Sequence, residues 1–590
     1  MRWINRHLTF VVITLSVIGS FVVYGNGIKG GFVFDDVVVV QKRPDLKNIA
    51  HLPRLFIEPY HLHRPQSSLF RPLTTASYAL NYAILGKSPA GFHVINIFLH
   101  ALVSSMVFWL IWHLFSRYDL AWISWLLFLV LPIHVEAVTS IVGRAEILAL
   151  LFSLLCIYFS TKNRLLCASS LLLAIWSKES AAMIVPILAL IHIVKYRVQI
   201  KDFLKRFSYL LIPISIYILT RAIALKQYFI HSTNTVFIEN PLMFVPWHER
   251  FFTALEILIM YLGKLLVPIH LSADYSYDTI HLTFLPALAG GVLLAVMIWE
   301  IVRLFRTPSV AGYSAALFLG FWFLASNLIL PVGTIMAERL MYAPSIGFVL
   351  LLAWFFSALA KVKYLKTASI VLLVIVSLFY AGRAIARNSD WHDTRRLFAS
   401  AVVQAPRSVL VHTGLAGFAI TDDRWEDARR ELAVASSIYP EYSHMFYLQG
   451  VLAEYDKDYA KAEDFYRRSA AINPTGPSVL NLANLLSIQG RFADTEPFLK
   501  TVVDLAPLDE YVIRYAYTKI VLGKPEVALE IIKKYYGNDL NDMDRSAVVG
   551  TAYFQLQNYP EAIKYLEQAK KLGKSAPEID QMIEISKKKI

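Results

Sequence analysis

The chain has 590 residues, of which 56% are hydrophobic and 17% charged, against roughly 25% charged in ordinary globular chains; this excludes a uniformly soluble multidomain protein. Its two cysteines, Cys156 and Cys167, both lie in apolar runs and exclude a disulfide framework or a cysteine zinc site. The formal charge of +13 does not point to nucleic acid, because the basic residues cluster between apolar runs, at 195–206 (KYRVQIKDFLKR), 303–306 and 361–366, as the positive-inside bias produces.

In chain order, the first predicted element is a spanning helix over 8–24. Arg2 and Arg6 precede it and no small-x-small cleavage site follows it, so it reads as a retained span with its N-terminus in the cytoplasm. Further apolar segments follow at 93–115, 119–138, 145–161, 164–177, 180–194, 208–225, 251–269, 283–302, 313–330, 338–359 and 366–384, each a candidate span by length and hydropathy. Placing Arg117, 162–164, 195–206, 303–306 and 361–366 in the cytoplasm demands an even number of crossings between Arg206 and Arg303. Three apolar segments lie there, so either 251–269 or 283–302 does not cross fully. The expectation is a membrane domain over 1–385 with about eleven crossings, a link over 386–406, and a repeat domain over 407–590 on the non-cytoplasmic side.

Ionisable groups between spans are costly in lipid and are therefore candidates for function. The parity argument gathers several of them on one external face. Asp35 and Asp36 (in FVFDD) place two carboxylates just beyond the first span. A carboxylate there suits a general base toward a hydroxyl or a metal ligand, and equally a solvated turn after Gly30-Gly31. SLFRPL carries Arg71, and LPIHVEAVTSIVGRAEILA carries His134, Glu136, Arg144 and Glu146. The spacing of His134 and Glu136 matches no closed zinc site, and Arg144 with Glu146 also suits a local ion pair. Lys178-Glu179 and Glu338-Arg339 interrupt apolar stretches. Three cations facing one cavity, Arg144, Lys178 and Arg339, suit a phosphate, since arginine binds it bidentately and lysine as a point charge.

The last third repeats. Prolines fall at Pro406, Pro440, Pro474 and Pro507, spaced 34, 34 and 33. Small residues recur at Ala416, Gly450, Ala483, Ala516 and Gly550, and again at Ala428, Ala462, Ala528 and Ala562, with Thr495 in the third place. A period of 34 with two small-residue series in register is the pattern of tetratricopeptide helix pairs. About five repeats are expected, offering a concave surface to a peptide or protein.

FVFDD, SLFRPLT with LNY, AGFHVINIFLH, LPIHVEAVTSIVGRAEILA, SKES, LSADYS (271–276), MAERLMYAPSIGF and RNSDWHD (387–393) occur in the order seen in the transmembrane and tetratricopeptide-repeat O-mannosyltransferases. The likeness covers nearly the whole chain, and that family resembles a branch of the GT-C glycosyltransferases. It departs at Leu131, where the family often has histidine, and at Ala343. The resemblance implies an all-α fold, a polytopic GT-C-like membrane domain followed by a tetratricopeptide α-solenoid. It implies sugar transfer, most simply of mannose, from a polyprenyl-phosphate carrier to Ser or Thr of an acceptor protein. Asp35 or Asp36 would be the base; Arg144, Lys178 and Arg339 would hold the donor phosphate; Arg71, His134, Glu136, Glu146, Glu179 and Glu338 would support them. The resemblance names no cofactor, and the adjacent aspartates permit a divalent cation. The implied partners are the lipid-linked sugar, an acceptor held by the repeats, and membrane lipid; the implied location is the endoplasmic reticulum of a eukaryote or the inner membrane of a bacterium. A membrane-anchored scaffold would leave the external charges dispensable, and a lipid transporter would show paired internal repeats, of which the sequence has none.

Overall fold

The computed structural model describes residues 2–62, 67–229, 237–278, 280, 282–329, 331–505, 507–537 and 539–590, and every regular element among them is helical. The chain divides into two compact units, Met1–Val411 and His412–Ile590.

Among the described residues of the first unit, six helices are long and apolar enough to cross a membrane: His7–Lys29, Pro89–Phe115, Ile141–Phe159, Ser208–Tyr228, Phe284–Leu304 and Lys366–Asp390. Tyr118–Val130 and Pro132–Val138 make a seventh if a pair bent by 51° counts as one span. The bend is written in Leu131-Pro132. Proline lacks an N–H and pushes the residue before it out of the helical region, and Leu131 is indeed extended, at φ −66°, ψ 118°. Shorter apolar helices, Arg164–Ser177, Val310–Ala325 and Ser345–Lys361, pack among these.

Burial sorts centre from rim. The most apolar stretch of Ile141–Phe159 is 78% buried, against 22%, 11% and 17% for Ser208–Tyr228, Phe284–Leu304 and Lys366–Asp390. A helix apolar all round and enclosed is a core element, whereas an apolar face left open is stable only where lipid is the solvent. Of the two segments between which the sequence left a choice, Phe284–Leu304 qualifies as a span. Trp247–Leu266 opens on the polar turn WHER, and its Glu256 accepts from the Thr283 amide (2.8 Å) and hydroxyl (2.6 Å).

The second unit, with the helix Val409–Thr421 that enters it, is a run of helix pairs. Ser443–Tyr455 pairs with Tyr459–Ile472, Ser478–Ile488 with Phe492–Leu505, Asp509–Val521 with Pro525–Tyr536, and Met543–Gln555 with Tyr559–Lys571, with Pro577–Lys589 packed on the last of these; ahead of them His412 of Val409–Thr421 meets Glu431 of Trp425–Ile438 at 2.6 Å. The small residues lie where paired helices touch. A Cβ on Gly450 would sit 2.4 Å from the ring of Tyr466, and one on Gly550 would sit 2.7 Å from Leu566. Ala428, Ala462, Ala528 and Ala562 are fully buried on the second helices, as is Thr495. Asp458, Asp542 and Asn558 cap helix starts with their side chains. This is a tetratricopeptide-type α-solenoid.

Candidate active site

The site begins at the loop that follows the first helix. Asp36 is fully buried; its Oδ2 accepts from the Val33 amide (3.1 Å), and its Oδ1 from the Val142 amide (2.8 Å) and the Ser140 hydroxyl (3.3 Å). Burial pushes its carboxyl up to about 7, against the pull of those amides. Asp36 therefore clips the loop onto the turn 140–143. That turn is tight: a Cβ on Gly143 would lie 2.2 Å from the Ala137 carbonyl oxygen, so only glycine fits. Asp35 is different. It is half-buried, accepts no hydrogen bond among the described residues, and acts electrostatically on Arg339 and Tyr60.

Three acid–base pairs are linked to it through Arg339 and Tyr60. The first joins Arg339 to Glu136: Nη1 meets Oε1 in a short contact and the Arg339 amide donates to Oε2 at 2.8 Å. Glu136 is 2% exposed and the Arg339 side chain 32%, so the carboxylate anchors a guanidinium that still reaches open space. The second joins Lys178 to Glu146, both nearly buried. The third is bidentate, with Arg71 Nε and Nη2 donating to Glu179 Oε2 (3.1 Å) and Oε1 (2.8 Å), while the guanidinium lies 5.2 Å over the Tyr60 ring.

The pairs feel one another. Burial would lower Arg339, but Glu136, with Asp35 and Glu146 behind it, outweighs that and holds its proton more firmly than usual. Burial would raise Glu179, yet Arg71 and Lys178 bring it down to about 2. Lys178 goes the other way: burial lowers it despite Glu146, with Arg71 adding repulsion. Beside Lys178 and Glu146 runs a narrow cleft, walled by Ser180, Phe321 and Leu340, with an interior of about 20 Å³, room for about one water.

The remaining sequence candidates lie elsewhere. Arg144 is fully buried and all its nitrogens are engaged: Nε donates to Asn96 Oδ1 (2.7 Å), Nη1 to the Ser77 carbonyl (3.2 Å), and Nη2 to Asn81 Oδ1 (3.0 Å) and the Phe92 carbonyl (3.0 Å). It does not line the cleft beside Lys178; it ties together the helices Pro72–Leu85, Pro89–Phe115 and Arg144–Phe159. His134 is buried against Phe128 and Tyr342 (ring centroids 4.5 and 4.7 Å), with Nε2 2.8 Å from the Ser345 hydroxyl. Glu338 is fully buried and accepts from the Ser272 amide (2.6 Å) and the Tyr275 hydroxyl (2.7 Å), with Arg387 Nη2 at 3.8 Å. Burial pushes its carboxyl up to about 7 in spite of Arg387. MAER, LSADYS and RNSDWHD thus meet at one carboxylate.

Residues the sequence reading passed over also matter. Asn96 both accepts from Arg144 and donates to the carbonyls of Ser140 (3.1 Å) and Val138 (3.3 Å); an asparagine inside an apolar helix was the available signal. Tyr60, which stacks on Arg71, had none. Among the described residues no three His, Cys, Asp or Glu side chains converge as a metal site.

Tetratricopeptide-repeat family models match residues 423–477 and 548–572. Along most of its length the chain resembles proteins named protein O-mannosyl-transferases. It is 27% identical to F38B6.6 of Caenorhabditis elegans, over 73% of this chain and 63% of the relative. It is 26% identical to human TMTC3, over 95% and 67%, and 27% identical to human TMTC1, over 75% and 56%. The chain thus spans about two-thirds, or somewhat less, of these relatives. Among solved structures, a crystal structure of YrrB, described as a TPR protein with an unusual peptide-binding site, is 18% identical over 33% of this chain and 98% of that one, with a TM-score of 0.28.

Proposed function

We propose that this chain is an integral-membrane protein O-glycosyltransferase, taking a sugar from a polyprenyl-phosphate carrier and placing it on a Ser or Thr hydroxyl of an acceptor protein. Mannose is the sugar that the names of the relatives favour. The observation that carries the reading is the company of Asp35: a carboxylate without a hydrogen bond among the described residues, within electrostatic reach of an anchored, part-exposed guanidinium, at one end of an apolar bundle.

Asp35 takes the proton of the acceptor hydroxyl as its oxygen attacks the anomeric carbon. The bond from that carbon to the carrier phosphate breaks, and polyprenyl phosphate leaves with the electron pair. Arg339 faces the developing charge, with Lys178 and Arg71 as the further cations of the cluster; preorganised charge of this kind is typically worth a few kcal/mol per donor. Glu136, Glu146 and Glu179 aim those cations. Asp36, Arg144 and Glu338 hold the loops that position them, and His134 belongs to the core beneath. The membrane domain over 1–385 crosses about eleven times, the link 386–406 follows, and the repeats face the non-cytoplasmic side, where they recruit the acceptor.

The test is label transfer from polyprenyl-phosphate mannose to extracytoplasmic proteins by the purified full chain. Asp35→Asn is expected to lower transfer by at least ~100-fold, the lower end of what general base catalysis contributes, with unchanged thermal stability. Transfer undiminished in Asp35→Asn would remove it as the base.

A further inference from the structure

The helix Arg144–Phe159 has 16 residues, so its ends lie about 24 Å apart. Arg144 and Glu146, with the acid–base pairs, mark one end. Near the other runs an apolar groove of about 510 Å³ between this helix, Arg2–Tyr24 and Pro89–Phe115. Val12, Leu102, Leu155, Trp112 and Tyr158 line it, and Lys162 is the charged residue on its wall among the described residues.

Its length has a natural measure. From Leu102 to Trp112 the groove follows one helix for about 15 Å, half of a hydrocarbon core of roughly 30 Å. It therefore spans one leaflet, and Trp112 and Tyr158 sit where interfacial aromatics belong. Lys162 is exposed, its ammonium 3.4 Å from the Tyr158 ring centroid, and among the described residues its side chain has no carboxylate partner. The neighbourhood stays positive. Lys162 and Lys195 both act on His113, and Asp119 is already committed to Arg117 and the Ser357 hydroxyl (2.5 Å).

We propose that this groove holds an anionic glycerophospholipid of that leaflet, an acyl chain along Val12, Leu102 and Leu155 and the phosphate-bearing head against Lys162. An apolar slot alone would take any lipid; the unneutralised ammonium at its mouth selects charge. One basic residue at a membrane surface favours an anionic lipid about fivefold. The site is independent of sugar transfer and stands or falls without it.

The full chain reconstituted in nanodiscs of equal phosphatidylglycerol and phosphatidylcholine, with retained lipid counted by native mass spectrometry, tests this. Wild type is expected to retain phosphatidylglycerol in about fivefold excess. Lys162→Gln should bring the ratio near parity while keeping the amount of lipid, and Met106→Trp, which fills the groove, should lose both lipids. Lys162→Gln alters an exposed side chain and decides the matter even if Met106→Trp does not fold. Parity in wild type, an unchanged excess in Lys162→Gln, or displacement of phosphatidylglycerol by equimolar polyprenyl phosphate would each overturn the assignment.

Discussion

Asp36 accepts from Val142, 106 residues further on, whereas Asp35 keeps its carboxylate free of hydrogen bonds among the described residues. The sequence showed the pair but not the division of labour, because that depends on a turn returning from far along the chain. The division has a pH signature. The carboxyl of Asp36 is raised from 3.8 to about 7 on folding, so between those values the native state binds more protons than the unfolded one. Its contribution to stability is whole below about pH 4 and is lost as pH rises through about 7. Wild type should lose apparent Tm relative to Asp36→Asn between pH 4.5 and 7.5; a constant difference would show that Asp36 titrates as an ordinary carboxylate. Lys178 and Glu146 make a second residue-scale case. Breaking a buried pair leaves one charge unmatched and costs about 3–5 kcal/mol, whereas replacing both partners is often near neutral. Lys178→Met should lower stability sharply, and Lys178→Met with Glu146→Leu should recover most of it. If the double variant is no more stable than the single one, the pair is not what Lys178 contributes to the fold.

Elements were legible to the degree that their signal was periodic. The repeats declared themselves because two helices cannot approach unless the residues between them are small, and that need recurs in every pair. The apolar segments were legible as helices, but their breaks were not. The segment 119–138 reads as one apolar run, yet Pro132 bends it and so delivers Glu136 to Arg339. Likewise 338–359 reads as a span, while the long helix starts at Ser345, after Pro344, because Glu338 and Arg339 are drawn to Ser272 and Glu136. In both cases tertiary ion pairing overrides hydropathy, which a window of sequence does not register. Helix contact makes a graded prediction. Gly450→Ala places a methyl 2.4 Å from Tyr466, whereas Gly417→Ala meets nothing closer than 3.9 Å. Overpacking should cost the first about 1–3 kcal/mol, and the second should gain up to about 1 kcal/mol from helix propensity. Hydrogen exchange over 443–472 in the full chain reads the first, and over 409–438 the second; equal protection in both variants would mean that the solenoid absorbs the clash by shifting.

For the whole molecule the decisive quantity is sidedness, since the proposed sugar donor and the proposed acceptor would have to meet on the same face. The basic loops are what fix it. Charge asymmetry across a bilayer is set during insertion, and in this chain Lys162 follows the Phe159 end of Arg144–Phe159 and Lys195 donates to the Leu114 carbonyl (2.9 Å), while the acid–base pairs stand at the Arg144 end. Lys42, Lys363 and Lys564 are all exposed, and the two native cysteines are buried, so single cysteines at these positions report against a low background. With an impermeant maleimide, Lys42→Cys and Lys564→Cys should label only from the non-cytoplasmic side and Lys363→Cys only from the cytoplasm. Labelling of Lys42→Cys and Lys363→Cys from one side would require an even number of crossings between them and break the parity on which about eleven spans rest. Labelling of Lys564→Cys with Lys363→Cys would leave the cluster around Asp35 in place but put the repeats on the wrong side to present an acceptor to it, so the solenoid would then have to serve a cytoplasmic partner instead.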